Sequence, residues 1–188
     1  MDNFFLILDT ETGGLNSKTN SLNEIAAALC DEQGKQIEQF QIILNPYSQN
    51  KLSSLYALKL SSLFERGTNF KQIDNTEIAN QFAQWLIMIS TKYNPILVGH
   101  NLKFDLEFLE SFMQANGFEK PFEIFSPHII DTIMFAKILS LSGKIKSKKM
   151  NLATLCEEFD IKNENAHTAM ADVEATTQLL IKFFSLLK

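Results

Sequence analysis

Residues 4–15 read Phe-Phe-Leu-Ile-Leu-Asp-Thr-Glu-Thr-Gly-Gly-Leu, an unbroken apolar run that meets Asp9 and, two residues later, Glu11. A run that is apolar on both faces suits a central strand covered on both sides, so the chain must build one layer above it and another below. Successive strand side chains point to opposite faces, and residues i and i+2 share one. Both carboxylates therefore aim at the same spot, from a strand that begins in the core. Two like charges that close repel: either one keeps a proton, or a cation sits between them and makes the double charge favourable. The cation is the expectation carried forward.

The rest of the chain supplies the layers. Residues 23–30 and 36–44 read as two more strands joined by the turn Asp31-Glu32-Gln33-Gly34, which predicts an antiparallel meander. The polar, Ser-rich stretch 46–75 has a weak apolar period at Leu55, Leu58, Leu63 and Phe64, predicting short helices and loops. Ile78, Phe82, Trp85, Leu86 and Ile89 lie on one face of a helix over 75–89, with Asn75 or Thr76 able to cap its start. A short buried strand at 95–99 runs into a helix whose face is lined by Phe104, Phe108, Leu109 and Phe112 and which Gly117 ends. A last short strand is expected at 128–131, followed by helices over 132–139 and 152–159. The closing helix steps through Ala169, Val173, Thr176, Leu180, Phe183 and Leu187 by fours and threes. Strands first, then strands alternating with helices, give an α/β fold with a mixed sheet, antiparallel in its first three strands and parallel thereafter, flanked by helices.

At 188 residues this is one domain, 1–188, able to bury roughly 70% of the surface its unfolded form exposes. The 16 Phe read as core volume. A net charge of -5 argues against a protein whose only task is to coat nucleic acid, but does not exclude a nuclease, whose metal-binding acids add to the formal count. Cys30 and Cys156 lie in apolar runs without Cys-x-x-Cys spacing and read as buried thiols. Asp2 stands where a signal peptide would be positive, and no stretch approaches the ~20 apolar residues of a membrane span. The expectation is a cytoplasmic protein with no membrane partner.

Two further segments carry acids. Asp105 follows the strand at 95–99, within His100-Asn101-Leu102-Lys103-Phe104-Asp105, in the first turns of a helix. Ligand sites of open α/β sheets gather at the carboxyl ends of strands, which would bring Asp105 to Asp9 and Glu11 if the two strands are neighbours. Taken alone, it is an ordinary acid at a helix N-terminus. In His167-Thr168-Ala169-Met170-Ala171-Asp172, Asp172 lies beside a buried stripe and wants a partner, while His167 sits just ahead of the helix. Alone, His167 is a surface or capping residue; beside the acids it becomes a candidate base. Four acids without a Cys or His ligand pair favour Mg or Mn over Zn. Two such ions about 4 Å apart can clamp the attacking and leaving oxygens of a phosphodiester. Histidine, which titrates near neutrality by type, can take the proton of the attacking water.

These three segments resemble the three motifs of the DEDDh exonucleases, the DnaQ-like group that includes the proofreading epsilon subunit of bacterial DNA polymerase III. The motifs are Asp9 to Leu15, His100 to Asp105 and His167 to Asp172, and a His rather than a Tyr selects the "h" branch. The resemblance implies an RNase H-like fold and 3′ to 5′ exonuclease activity that releases nucleoside 5′-monophosphates from single-stranded ends of DNA or RNA. It implies two Mg2+ or Mn2+ ions on Asp9, Glu11, Asp105 and Asp172, with His167 as general base. It also offers Thr12, Leu15 and Asn101 as substrate contacts, and a structural role for Asp131.

Two departures from the family pattern stand out. Many relatives carry a His-Gly-Ile segment that covers the substrate, but residues 57–64 here contain no histidine. The extension by which a proofreading subunit docks its polymerase is also missing, so a free-standing or differently tethered enzyme is expected, with no polymerase partner established. The lysines at 144, 146, 148 and 149 are either a solvated loop or a contact for upstream phosphates. Two alternatives remain: a non-catalytic nucleic-acid-binding or regulatory module of the same fold, and an unrelated phosphohydrolase with an aspartyl nucleophile, which would need Asp in place of Glu11 and no His167.

Overall fold

The computed structural model of the protein describes residues 3–66 and 74–188, the side chain of Phe64 excepted. Its elements are β1 (Phe4–Thr12), β2 (Leu22–Asp31), β3 (Gln36–Ile43), α1 (Leu55–Leu60), α2 (Leu63–Arg66), α3 (Asn75–Tyr93) and β4 (Ile96–Gly99). They continue with α4 (Leu102–Ala115), β5 (Ile130–Asp131), α5 (Thr132–Leu141), α6 (Leu152–Glu158) and α7 (Ala169–Ser185). The sheet order is β3-β2-β1-β4-β5. The first three strands pair antiparallel, and β4 and β5 add to β1 in parallel. This is the mixed sheet expected from the sequence.

β1 is central and covered on both faces, as its apolar run requires. Leu6 and Leu8 enter one core with Phe82 and Leu86 of α3 and Phe108 and Phe112 of α4. Phe5 and Ile7, of the opposite parity, enter a second core with Ala169, Val173 and Leu180 of α7. Asp9 and Glu11 continue the second parity and so emerge on the α7 side; Thr10 emerges on the α4 side. Fully burying side chains of this kind contributes about 1.5–3 kcal/mol each, which fixes the register of β1 against both layers.

Several expectations need correction. α3 runs four residues beyond Ile89 and stops at Asn94, whose left-handed φ of 45° suits an αL cap, with Pro95 following. Its start is capped neither by Asn75 nor by Thr76: Asp74 holds the cap position without a side-chain bond, while the Asn75 amide donates to the Ser48 carbonyl at 3.1 Å. The last strand is only Ile130–Asp131, two residues shorter at its start than expected, and pairs with β4 through Val98 and Gly99 alone. Leu55 is exposed, unlike Leu58 and Leu63. Leu187 is 60% exposed beyond the end of α7, since the helix finishes at Ser185. Cys30 and Cys156 are buried free thiols. No helix among the described residues is long and apolar enough to cross a membrane.

Candidate active site

A cavity of about 430 Å³ opens at the carboxyl ends of β1 and β4. Asp9, Glu11, Asp105, His167 and Asp172 all line it, together with Thr12 and Leu15. The fold therefore brings together acids that lie far apart in the sequence. One carboxylate oxygen from each of Asp9, Glu11 and Asp172 lies within 4.8 Å of the others, and all three residues are half-buried. Parity explains the trio. Asp9 and Glu11 leave β1 on the α7 face, where Asp172 occupies the first turn of α7.

Asp105 reaches the cavity from the other layer. It is 4% exposed, in the first turn of α4, and one of its oxygens accepts both the N–H and the hydroxyl of Thr10. Its charge still bears on Asp9, but it is not part of the close trio.

The electrostatics are those of crowded, poorly solvated acids. Burial first, then the charges of Asp105, Asp172, Glu11 and Glu24, holds the Asp9 carboxyl well above its ordinary value. Burial and the charges of Asp172 and Glu24 push Glu11 up to about 8, with Arg66 pulling the other way. Asp105 is pushed up to about 7 by burial, against the bonds from Thr10. Asp172 is raised by burial, and moderated by the Asn163 amide, which donates to its Oδ1 at 2.7 Å, and by His167. Each shift marks a site where negative charge is unwelcome until a positive partner arrives. An all-oxygen donor set with converging carboxylates fits a hard divalent cation.

His167 is exposed at the cavity, with a left-handed φ of 67°, one residue ahead of Thr168, whose hydroxyl caps α7. Thr12 turns its hydroxyl to the Gly14 carbonyl at 2.7 Å, and Leu15 stands 89% exposed at the rim. Gly13 is required there, because a Cβ would lie 2.6 Å from the Leu52 carbonyl. Asn101 is exposed with a left-handed φ of 74° and is not among the cavity-lining residues. Asp131 spends its carboxylate on the backbone N–H groups of Asn101, Leu102 and Ile133.

Sequence reasoning missed several parts of the site. Ser54, Tyr56, Ala57 and Leu60 form one wall, in the region where the family's histidine is absent. His100 also lines the cavity, its Nδ1 2.8 Å from the Thr132 hydroxyl, and burial lowers its pKa. Phe104 lines the cavity and packs against the buried Phe108, ring centroids 5.0 Å apart. Short exposed helices such as α1 carry too weak an apolar period to show which side faces a ligand. The lysines at 144, 146, 148 and 149 are all exposed.

A carboxylate cluster at the strand ends of an α/β sheet is an arrangement suited to metal-assisted hydrolysis of phosphate esters. The exonuclease family RNase_T matches residues 6–180, and the chain belongs to that family. Among its relatives is the PolC-type DNA polymerase III of Oceanobacillus iheyensis, 28% identical over 182 residues, which covers 95% of this chain and 11% of that protein. The PolC-type DNA polymerase III of Lactococcus lactis is 30% identical over 189 residues, covering 98% and 10%. The chain thus spans about a tenth of the length of these relatives. Solved structures with the same fold include a zinc-bound complex of Escherichia coli exonuclease I with single-stranded DNA, with a TM-score of 0.79 and 21% identity, covering 100% of this chain and 43% of that one. Another is Escherichia coli exonuclease I with a dT13 oligonucleotide, with a TM-score of 0.76 and 21% identity, covering 96% and 40%. The RNase H-like fold and the DEDDh resemblance are both borne out.

Proposed function

We propose that this chain hydrolyses phosphodiester bonds one nucleotide at a time from the 3′ end of a single strand, releasing nucleoside 5′-monophosphates. The observation that carries the reading is the convergence of Asp9, Glu11 and Asp172 within 4.8 Å in a cavity that Asp105 and His167 also line. The 3′ to 5′ polarity rests on the resemblance of the three motifs to those of the DEDDh exonucleases. DNA is the favoured substrate because the relatives are DNA polymerases and the structural neighbours include exonuclease I bound to DNA oligonucleotides.

Asp9, Glu11, Asp105 and Asp172 would hold two Mg2+ or Mn2+ ions, whose chemistry when bound would be to lower the pKa of water and to offset charge on the leaving oxygen. The protein's own work is positional and protonic. Asp9 and Glu11 are fixed by the strand, Asp172 by the first turn of α7, and Asp105 by Thr10. His167 stands at the cavity on a loop and accepts the proton of the attacking water at a ring nitrogen. Leu15 and the α1 wall of Tyr56, Ala57 and Leu60 offer apolar surface on which the terminal bases can lie.

The test supplies 5′-labelled DNA and RNA strands with Mg2+, Mn2+ or chelator and follows the ladder and the released product. Stepwise shortening of the labelled strand, with mononucleotide 5′-phosphates as product and none in chelator, is expected. Strand binding without nucleotide release in either metal would overturn the proposal in favour of a binding module.

A further inference from the structure

Glu24 lies fully buried on β2, directly opposite Glu11 of β1. A buried carboxylate is tolerated when it is paired and hydrogen-bonded, and Glu24 is both. Arg66 of α2 meets it with a two-pronged guanidinium, Nη1 to Oε1 at 3.0 Å and Nη2 to Oε2 at 2.7 Å. Gln41 of β3 donates to Oε1 at 2.9 Å, and the N–H of Ala169, the first residue of α7, donates to Oε2 at 3.3 Å. Arg66 also reaches backward: its Nε and Nη2 donate to the carbonyl of Ser61, at 3.1 and 2.8 Å, the residue that closes α1.

One ion pair, its carboxylate fully buried and its guanidinium 24% exposed, therefore joins the helix that carries Asp172 to the helix that forms the cavity wall. Exchanging a buried ion pair for apolar bulk is often neutral for stability or better. What apolar side chains lack is direction. The bonds around Glu24 aim at fixed points on β3, α2 and α7, and those of Arg66 fix the end of α1.

We propose that Glu24 and Arg66 are positioning residues for the hydrolytic site. They set the start of α7 against β1, and with it the place of Asp172 and His167 relative to Glu11, and they hang the α1 wall on the same frame. The proposal rests on the exonuclease reading of the cavity. It assigns the pair no contact with substrate.

Two variants of the full chain test it. Glu24→Leu combined with Arg66→Met replaces the pair by apolar bulk; Arg66→Lys keeps the charge without the fork that spans Glu24 and Ser61. The double variant is expected to melt cooperatively, to exchange the Ala169 amide faster, and to lose roughly 10–100-fold in Mn2+ affinity and kcat. Arg66→Lys is expected to raise KM for an oligonucleotide more than it lowers kcat, because the α1 wall is released while Glu24 keeps a counter-charge. Wild-type kcat, KM and Mn2+ affinity in both variants would overturn the proposal, whatever happens to Tm; if the double variant does not melt cooperatively, Arg66→Lys decides alone. If the wild-type chain releases no nucleotide, the exonuclease reading has failed, and Ala169 exchange and Mn2+ affinity still decide the positioning role.

Discussion

A single oxygen of Asp105 accepts two hydrogen bonds from Thr10, from the backbone N–H at 2.9 Å and from the hydroxyl at 2.8 Å. Thr10 sits between Asp9 and Glu11 and points to the opposite face, so this contact locks the α4 acid to the strand that carries the other two. Thr10→Val keeps the N–H bond, loses the hydroxyl bond and preserves shape. It is expected to cost about 1–3 kcal/mol in denaturant unfolding and roughly tenfold in nucleotide release, as displaced supports of metal ligands do. Unchanged kinetics with Thr10→Val would mean that the backbone N–H alone holds Asp105.

Asn163 plays the corresponding part for Asp172, donating at 2.7 Å from a loop ahead of α7. Asn163→Ala should lower Mn2+ affinity and kcat together, by roughly 10–100-fold, with the fold intact by circular dichroism. Isothermal titration with Mn2+ beside steady-state kinetics checks it. Equal affinities in the two proteins would remove Asn163 from the site.

The crowded acids make stability depend on pH in a definite direction. Glu11, pushed up to about 8, and Asp105, pushed up to about 7, bind protons in the folded chain that the unfolded chain has already released. Their unfolded values lie near 4, so from about pH 4.5 upward the folded state holds more protons and its stability falls until the pH passes about 8. In chelator, Tm should therefore drop on the order of 5 °C between pH 5.5 and 8.5, and Mn2+ should restore it. A Tm in chelator that rises over the same range would contradict the shifts.

The same crowding predicts opposite effects on stability and activity from one substitution. Asp9→Asn removes a charge that burial and its neighbours disfavour, so the metal-free protein should melt higher at pH 8 while kcat falls on the order of a thousandfold. Thermal melts and a 5′-label assay on the same preparation check both halves. A destabilised variant with residual wild-type activity would remove Asp9 from the proposed machinery.

Much of this was legible because the signal was local and strong. The apolar run ahead of Asp9 could only be a central strand, and its parity alone places Asp9 and Glu11 together. Glu24 went unread, although a charge inside the apolar stretch 22–30 is a signal that a partner is needed. The partner was not legible: Arg66 lies 42 residues away in a segment of weak periodicity. Asn163 reads as an ordinary loop residue, since nothing in a turn-rich stretch shows where its amide will point. The last strand was overextended at its start, where His128 and Ile129 read no differently from a strand, and Leu187 because periodicity continues past the point where a helix runs out of cover. Those errors sit at element ends, where tertiary contacts decide.

Equilibrium binding of Mn2+ at pH 8, with free ion counted by paramagnetic resonance, bears most directly on the claim that distant acids form one divalent-cation site. The account predicts two ions per wild-type chain and at most one, bound more weakly, in Asp172→Asn. A wild-type chain that binds no Mn2+ at millimolar concentration, or an Asp172→Asn variant that binds as the wild type does, would contradict it.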